Sequence, residues 1–415
     1  MNETPLYPRF IQVHLQEALA DSPVVLIHGP RQCGKSTLAR KIGDLAGYAY
    51  HTFDNDVVRA AASSDPVGFV GELGARVVLD EVQRVPELFT SLKAAVDRDR
   101  TPGRFILTGS ANVLLLPRLA DSLAGRMEIL RLHPLAQAEL AGIRGSFLDQ
   151  LFAADFRIAT HQRLGPELAE RIVAGGYPAA LARSAHQRRS VWYRDYIETL
   201  VQRDVRQLSR ISSLDALPRL LALAAGQTAR LINISELASP FQVSRPTIRE
   251  YLALLSNVFL VEELPPWHTN RLSRLIKTPK LHMGDSGVAC ALLGVNAETL
   301  LADRPLLGQM LETFVYQELR RQAGWQAFPI RFHHFRDRDG AEVDMVLEAE
   351  GRRLAGVEVK AAATVTTADF RGLKKLREAA AERFAAGVVL YDGEATVGFG
   401  ERLFAVPVRT LWEAR

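Results

Sequence analysis

Cysteine is scarce: the 415 residues hold two, Cys33 and Cys290, far apart in the chain. That spacing excludes a disulfide-stapled secreted domain and argues against a cysteine-rich zinc site. No run of about 18 apolar residues marks a membrane span. The opening stretch MNETPLYPRFIQ lacks the basic-then-apolar pattern of a signal peptide. The expectation is a soluble cytoplasmic protein with no membrane partner. An excess of either charge is also lacking: 51 Lys and Arg against 47 Asp and Glu leave only +4. So small an excess does not indicate a nucleic-acid partner, and permits one only where basic residues cluster. Repeats and Ser/Gly-rich linkers are missing too. What is present is ordinary for a folded protein, 47% hydrophobic and 24% charged residues. The length predicts roughly two to four domains.

Apolar runs alternate with helical patterns over residues 1–135. Val24–His28, Val77–Leu79, Phe105–Leu107 and Met127–Leu132 read as four strands. Strands separated by helices predict a mostly parallel sheet covered on both faces. Residues 136–210 read mostly as helix, a lid and connector, broken at Gly175-Gly176-Tyr177-Pro178. Over 211–268 come two helices, a third opening at Ser244 and Pro246, then a strand; this order suggests a winged helix-turn-helix. Residues 269–415 read as a C-terminal α/β domain. The tyrosines and tryptophan at Trp192, Tyr193 and Tyr196 suit lid core. Asp285 suits a structural role.

The chemistry concentrates at Gly29-Pro30-Arg31-Gln32-Cys33-Gly34-Lys35-Ser36, a full match to G-x-x-x-x-G-K-[ST] between a strand and a helix. The glycines let backbone N–H groups curl into an anion nest, and the helix N-terminus adds favourable dipole charge. Lys35 reaches the outer phosphates and Ser36 coordinates Mg²⁺, with Thr37 beside it. Cys33 reads as a small filler rather than a reactive thiol. Asp80-Glu81 ends an apolar run: Asp80 is placed to hold Mg²⁺ and Glu81 to activate water. The run ending Thr108-Gly109-Ser110-Ala111-Asn112 supplies a γ-phosphate or water contact, Ser110 first, with Thr108 and Asn112 close behind.

These strand ends, in this order, resemble an AAA+ ATPase. More narrowly, LDEVQ, FILTGSAN, LAGRMEILRLHPLAQAEL and GGYP resemble prokaryotic ATPases of the AAA_14/DUF4143 type, and the resemblance covers nearly the whole chain. It implies a P-loop AAA+ core, ATP and Mg²⁺ as ligands, and assembly into a homo-oligomer, by analogy a hexameric ring. It also implies that Arg126, in Leu123-Ala124-Gly125-Arg126, is an arginine finger acting on the neighbouring subunit's nucleotide. Arg118 is the second candidate.

In the winged-helix segment Arg245, Thr247 and Arg249 are the candidate DNA contacts. Arg219, Arg230, Arg271, Arg274, Lys277 and Lys280 add six basic residues with no evident need of a core. The C-terminal domain carries Glu342-Val343-Asp344 and Glu358-Val359-Lys360. Period-two alternation puts Glu358 and Lys360 on one strand face, and a hairpin brings Asp344 alongside. With Glu312, at the start of a helix, these residues resemble the PD-(D/E)XK nuclease pattern, a restriction-endonuclease-like fold with a candidate second divalent metal. His333 and His334 suit solvent or core roles.

The combined expectation is an oligomeric ATPase that moves or remodels DNA, including branched DNA such as Holliday junctions, with a nuclease-like domain that need not cleave. Two alternatives stand beside it. One is a nucleotide-dependent switch regulating a protein partner; the other is an ATP-gated nuclease.

Overall fold

The computed structural model describes residues 6–110, 123, 125–205, 216–241, 243–268, 278–337 and 339–413. The chain divides into two compact units, one made of Pro8–Leu135 with Asn257–Phe259, the other of Met1–Tyr7, Ala136–Ser256 and Leu260–Arg415.

The first unit is built on five parallel strands, β1 (Val24–His28), β2 (Ala49–Thr52), β3 (Val77–Asp80), β4 (Phe105–Gly109) and β5 (Met127–Arg131), in the order β2-β3-β4-β1-β5. The central strands are buried throughout and mostly apolar because both faces are covered. Val24, Leu26, Val77, Leu79, Phe105 and Leu107 pack on one side against Phe89, Leu92 and Val96 of the helix Leu88–Arg98. Val25, Ile27, Val78 and Ile106 pack on the other against Leu15, Leu38 and Ile42. Each such fully buried side chain contributes about 1.5–3 kcal/mol. The strand count corrects the sequence reading, which found four. The overlooked β2 is a short edge strand, AYHT, exposed or half-buried along its length, so no apolar run announces it.

In the second unit, helices Ala216–Gly226, Ile234–Ala238 and Arg245–Asn257 accompany a small antiparallel sheet of β7 (Arg230–Leu231), β8 (Val261–Leu264) and β9 (Lys280–Met283), ordered β7-β9-β8. The helix Arg245–Asn257 buries Ile248, Tyr251, Leu252 and Leu255, the i, i+3, i+4, i+7 spacing of one helix face. Ser244 Oγ accepts from the Thr247 N–H at 3.3 Å and starts that helix. Strand β9 follows the expected 268/269 break, yet it is the middle strand of this sheet.

A larger mixed sheet holds β6 (Ala159–Thr160), β10 (Arg331–Arg336), β11 (Glu342–Glu348), β12 (Leu354–Lys360), β13 (Phe384–Tyr391), β14 (Ala395–Gly398) and β15 (Leu403–Pro407). Its order is β10-β11-β12-β13-β15-β14-β6, parallel only across β12-β13-β15. Strand β6 lies in a stretch expected to be helical. The helix Arg371–Ala380 packs Leu373 and Leu376 against Val343, Val346 and Leu354. The helix Arg304–Ala323 begins earlier than expected, capped by Asp303, so Glu312 sits in its middle rather than at its start.

Two features of 136–210 take their reason from packing. Tyr177, Trp192, Tyr193 and Tyr196 form one aromatic cluster, Trp192 stacking on Tyr196 at 5.1 Å. The Gly175-Gly176 break fits Asp285: a Cβ on Gly175 would lie 2.2 Å from its Oδ1, and the Gly176 N–H donates to its Oδ2 at 2.9 Å. Buried Asp285 also pairs with Arg321 at 2.9 Å and caps the helix Ser286–Leu293.

Candidate active site

The loop between β1 and the helix Lys35–Ala46 runs at the carboxyl ends of parallel strands, where open α/β sheets bind ligands. Gly29 has φ +156°, and a Cβ there would sit 2.0 Å from the Leu132 carbonyl oxygen. Gly34 has φ +103° and begins the helix. At Gly29 a side chain would displace backbone, and at Gly34 the left-handed φ alone disfavours one. Gln32 also adopts positive φ, 62°. Arg9 braces the loop from 24 residues upstream, donating to the Cys33 carbonyl at 2.7 Å and to the His133 carbonyl at 2.6 Å. Pro30 is buried, Arg31 half-buried, Gln32 and Thr37 exposed. Cys33 is fully buried, its Sγ 3.4 Å from the Leu132 carbonyl, and burial pushes its thiol pKa up, away from reactivity. His28, which ends β1, is held to a pKa of about 4 by burial, then by Arg131 and Lys35.

Lys35 is 3% exposed. Its ammonium donates to the Pro30 carbonyl at 2.8 Å and has no carboxylate partner among the described residues. An ammonium has three N–H donors, and burying one without a counter-charge is costly. A phosphate in the loop would supply that counter-charge.

Asp80 ends β3 and accepts four hydroxyl hydrogen bonds. Ser36 Oγ (2.7 Å) and Thr108 Oγ1 (2.5 Å) donate to Oδ1; Tyr50 OH (2.7 Å) and Thr52 Oγ1 (3.3 Å) donate to Oδ2. Strands β2, β3 and β4 and the loop helix thus converge on one carboxylate, with Ser36 and Asp80 as the pair suited to Mg²⁺. The phenol of Tyr50 is raised to about 12, first by burial and then by its bond to Asp80. Tyr50, Thr52 and Arg9 were missed from the sequence. The first two lie on the overlooked strand, and the third belongs to no motif.

Glu81 has left-handed backbone, φ 60° and ψ 45°, sparsely populated for a residue with a side chain. Its N–H donates to Thr108 Oγ1 at 3.0 Å. Its carboxylate accepts from Ser110 Oγ at 3.0 Å and from Gln83 Nε2, which also reaches Ser110 Oγ at 3.0 Å. Ser110 therefore meets Glu81, the residue expected to activate water. Gln83 is a further member of the site, two residues along in the LDEVQ string. Arg126 makes a bidentate pair with Asp97, Nε–Oδ1 2.6 Å and Nη2–Oδ2 3.1 Å, within its own unit. Asn112 and Arg118 lie outside the described residues.

Of the candidate DNA contacts, Arg245 and Arg249 are exposed and make no ion pair among the described residues, and Thr247 is half-buried. Arg271, Arg274 and Lys277 lie outside the described residues. The expectation for Lys280 is overturned, for it is 2% exposed.

In the other unit, Glu312, Asp344, Glu358 and Lys360 do come together, with Lys280 among them. The Lys280 ammonium lies 2.9 Å from Glu312 Oε1, 2.7 Å from Glu342 Oε1 and 3.0 Å from Asp344 Oδ1. Lys360 pairs with Glu358 at 2.8 Å, and the Val359 N–H donates to Asp344 Oδ2 at 2.9 Å. Burial and then Asp344 push Glu358 up to about 8. Burial would also raise Asp344, but Lys280 and the Val359 N–H outweigh it and hold it below its usual value. His282, fully buried and stacked on Tyr316 at 4.4 Å, is pushed down to about 3 by burial and then by Lys280. His333 and His334 are buried; His334 contacts the Thr278 carbonyl at 3.1 Å. Among the described residues no three His, Cys, Asp or Glu side chains are grouped to hold a metal ion. No helix among them is long and apolar enough to cross a membrane.

The profile of an AAA domain matches residues 21–141, and that of the domain of unknown function DUF4143 matches residues 307–411. The domain of unknown function DUF8612 matches residues 165–299. The chain is 31% identical over 396 residues to the uncharacterized protein Rv2008c of Mycobacterium tuberculosis, covering 95% of this chain and 82% of that one. Among solved structures it is similar to the Walker-type ATPase PABY2304 of Pyrococcus abyssi, at 17% identity and TM-score 0.40, over 70% of this chain and 99% of that one. It is also similar to the RuvB Holliday junction branch migration motor of Thermotoga maritima, at 18% identity and TM-score 0.30, over 61% and 89% of the two chains.

Proposed function

Because the chain belongs to the family that joins a P-loop AAA domain to a C-terminal DUF4143 domain, we propose that it hydrolyses ATP to ADP and phosphate and uses the cycle to move or remodel DNA. The observation that carries the ATPase reading is the buried Lys35 ammonium without a carboxylate, set beside the glycine cradle and the Ser36–Asp80 pair. Bound ATP with Mg²⁺ supplies the phosphoryl group to be transferred to water. Backbone N–H groups of Gly29–Ser36 hold the phosphates, Lys35 neutralises the outer ones, and Ser36 and Asp80 hold the metal ion. Glu81 takes a proton from the attacking water, with Ser110 and Gln83 orienting its carboxylate. Arg126 serves a neighbouring subunit's nucleotide in a homo-oligomeric ring, a hexamer by family analogy. That role requires exchanging Asp97 for phosphate.

The DNA part of the reading is supported by the exposed Arg245 and Arg249 at the start of the helix Arg245–Asn257. The order helix, strand, two helices and hairpin supports a winged-helix reading, in which the last helix would enter the major groove. The nuclease-like arrangement of Glu312, Asp344, Glu358 and Lys360 supports a DNA-facing ancestry, and branched DNA is the substrate class to test first. ATP hydrolysis should be measured without DNA and with linear duplex, single-stranded and four-way DNA while assembly mass is followed. Turnover rises several-fold with at least one DNA, and Lys35→Ala abolishes it. Equal turnover with and without every DNA rejects the DNA reading. Wild type that hydrolyses no ATP at all rejects the ATPase reading.

A further inference from the structure

The carboxylate centre of the second unit sits where a nuclease-like fold would hold its metal, but a lysine from another element reaches into it. Lys280 belongs to β9, the middle strand of the small sheet, whereas Glu312 lies on the helix Arg304–Ala323 and Glu342 and Asp344 lie on β11. An ammonium has three N–H donors, and here three carboxylate oxygens at 2.7–3.0 Å take all three. Those distances are typical of charge-assisted hydrogen bonds and leave Lys280 fully satisfied. A divalent ion needs oxygen ligands at about 2.0–2.6 Å and roughly six or more of them. It would have to draw Asp344 Oδ1 away from Lys280 and sit beside a buried cation that cannot retreat to water. Asp344 Oδ2 is already engaged by the Val359 N–H. Glu358 is engaged by Lys360 through Oε1, which leaves its buried Oε2 without a hydrogen-bond partner, a single oxygen where a divalent ion needs several. The donor set thus does not fit a resident Mg²⁺ or Mn²⁺.

We propose that Lys280 is a built-in cation standing in place of a divalent metal, so that this centre latches β9 to the C-terminal sheet and the chain is not a metal-dependent nuclease. The same ion pairs that exclude metal join the middle strand of the small sheet to β11 and to the helix Arg304–Ala323. Lys280 is thereby a positioning residue for the small sheet.

The test is Mn²⁺ titration of the nucleotide-free full chain, followed by the electron paramagnetic resonance of free Mn²⁺. Leaving nucleotide out separates this result from the fate of the ATPase reading. Wild type and Asp344→Asn should give superimposable titrations, with no Asp344-dependent site up to about 1 mM. Lys280→Ala should gain one Mn²⁺ per chain, lost again in Lys280→Ala with Asp344→Asn. One Asp344-dependent Mn²⁺ per wild-type chain overturns the proposal, and that comparison holds whether or not Lys280→Ala folds. A folded Lys280→Ala chain that gains no Mn²⁺ overturns it as well.

Discussion

Glu81 combines strain and placement. Its left-handed backbone aims the carboxylate toward Ser110 and Gln83, while the adjacent Asp80 points into a ring of four hydroxyls. This separation suits the two neighbouring acids to the different tasks proposed for them, Asp80 toward the metal ion and Glu81 toward the proton of the attacking water. Glu81→Gln should bind ATP near wild-type affinity and hydrolyse it about 10²–10⁴-fold more slowly. Nucleotide binding and steady-state turnover check this; unchanged turnover puts the base elsewhere. The P-loop and Asp80-Glu81 were legible because each works through consecutive residues. Tyr50, Thr52 and Arg9 were not, since they reach the site from 30, 28 and 24 residues away from their partners.

At the scale of elements, β2 shows how an edge strand escapes a search for apolar runs. It has one sheet neighbour, β3, and little of it is buried, yet it carries two of the four donors to Asp80. The helix Arg245–Asn257 shows the opposite case. Its apolar spacing and Ser244 start were readable, and the face left over carries Arg245 and Arg249. If these arginines touch phosphates, Arg245→Ala and Arg249→Ala each weaken DNA binding across sequences and lower the salt slope by about one. Binding measured over a salt series checks this. An unchanged slope in both variants removes this helix from the DNA interface.

At the scale of the whole molecule, assembly decides whether Arg126 acts in trans or only pairs with Asp97. Arg126→Ala should lower hydrolysis about 10³-fold or more if it is an arginine finger. Mixing it with Lys35→Ala chains should restore part of the activity, because each chain supplies what the other lacks. No recovery in mixed assemblies leaves Arg126 as the partner of Asp97 alone. The sequence by itself determined the parallel core, the phosphate loop, the Asp80-Glu81 pair and the C-terminal carboxylates. These rest on local periodicity and on residues close together in the chain. Only the tertiary structure decided what Lys280 does. It lies 32 and 64 residues from Glu312 and Asp344, and in sequence it looks like one more exposed base beside Lys277. Folding buries it, and a buried ammonium must find counter-charges. Burial therefore turns an apparent DNA contact into the internal cation of the carboxylate centre.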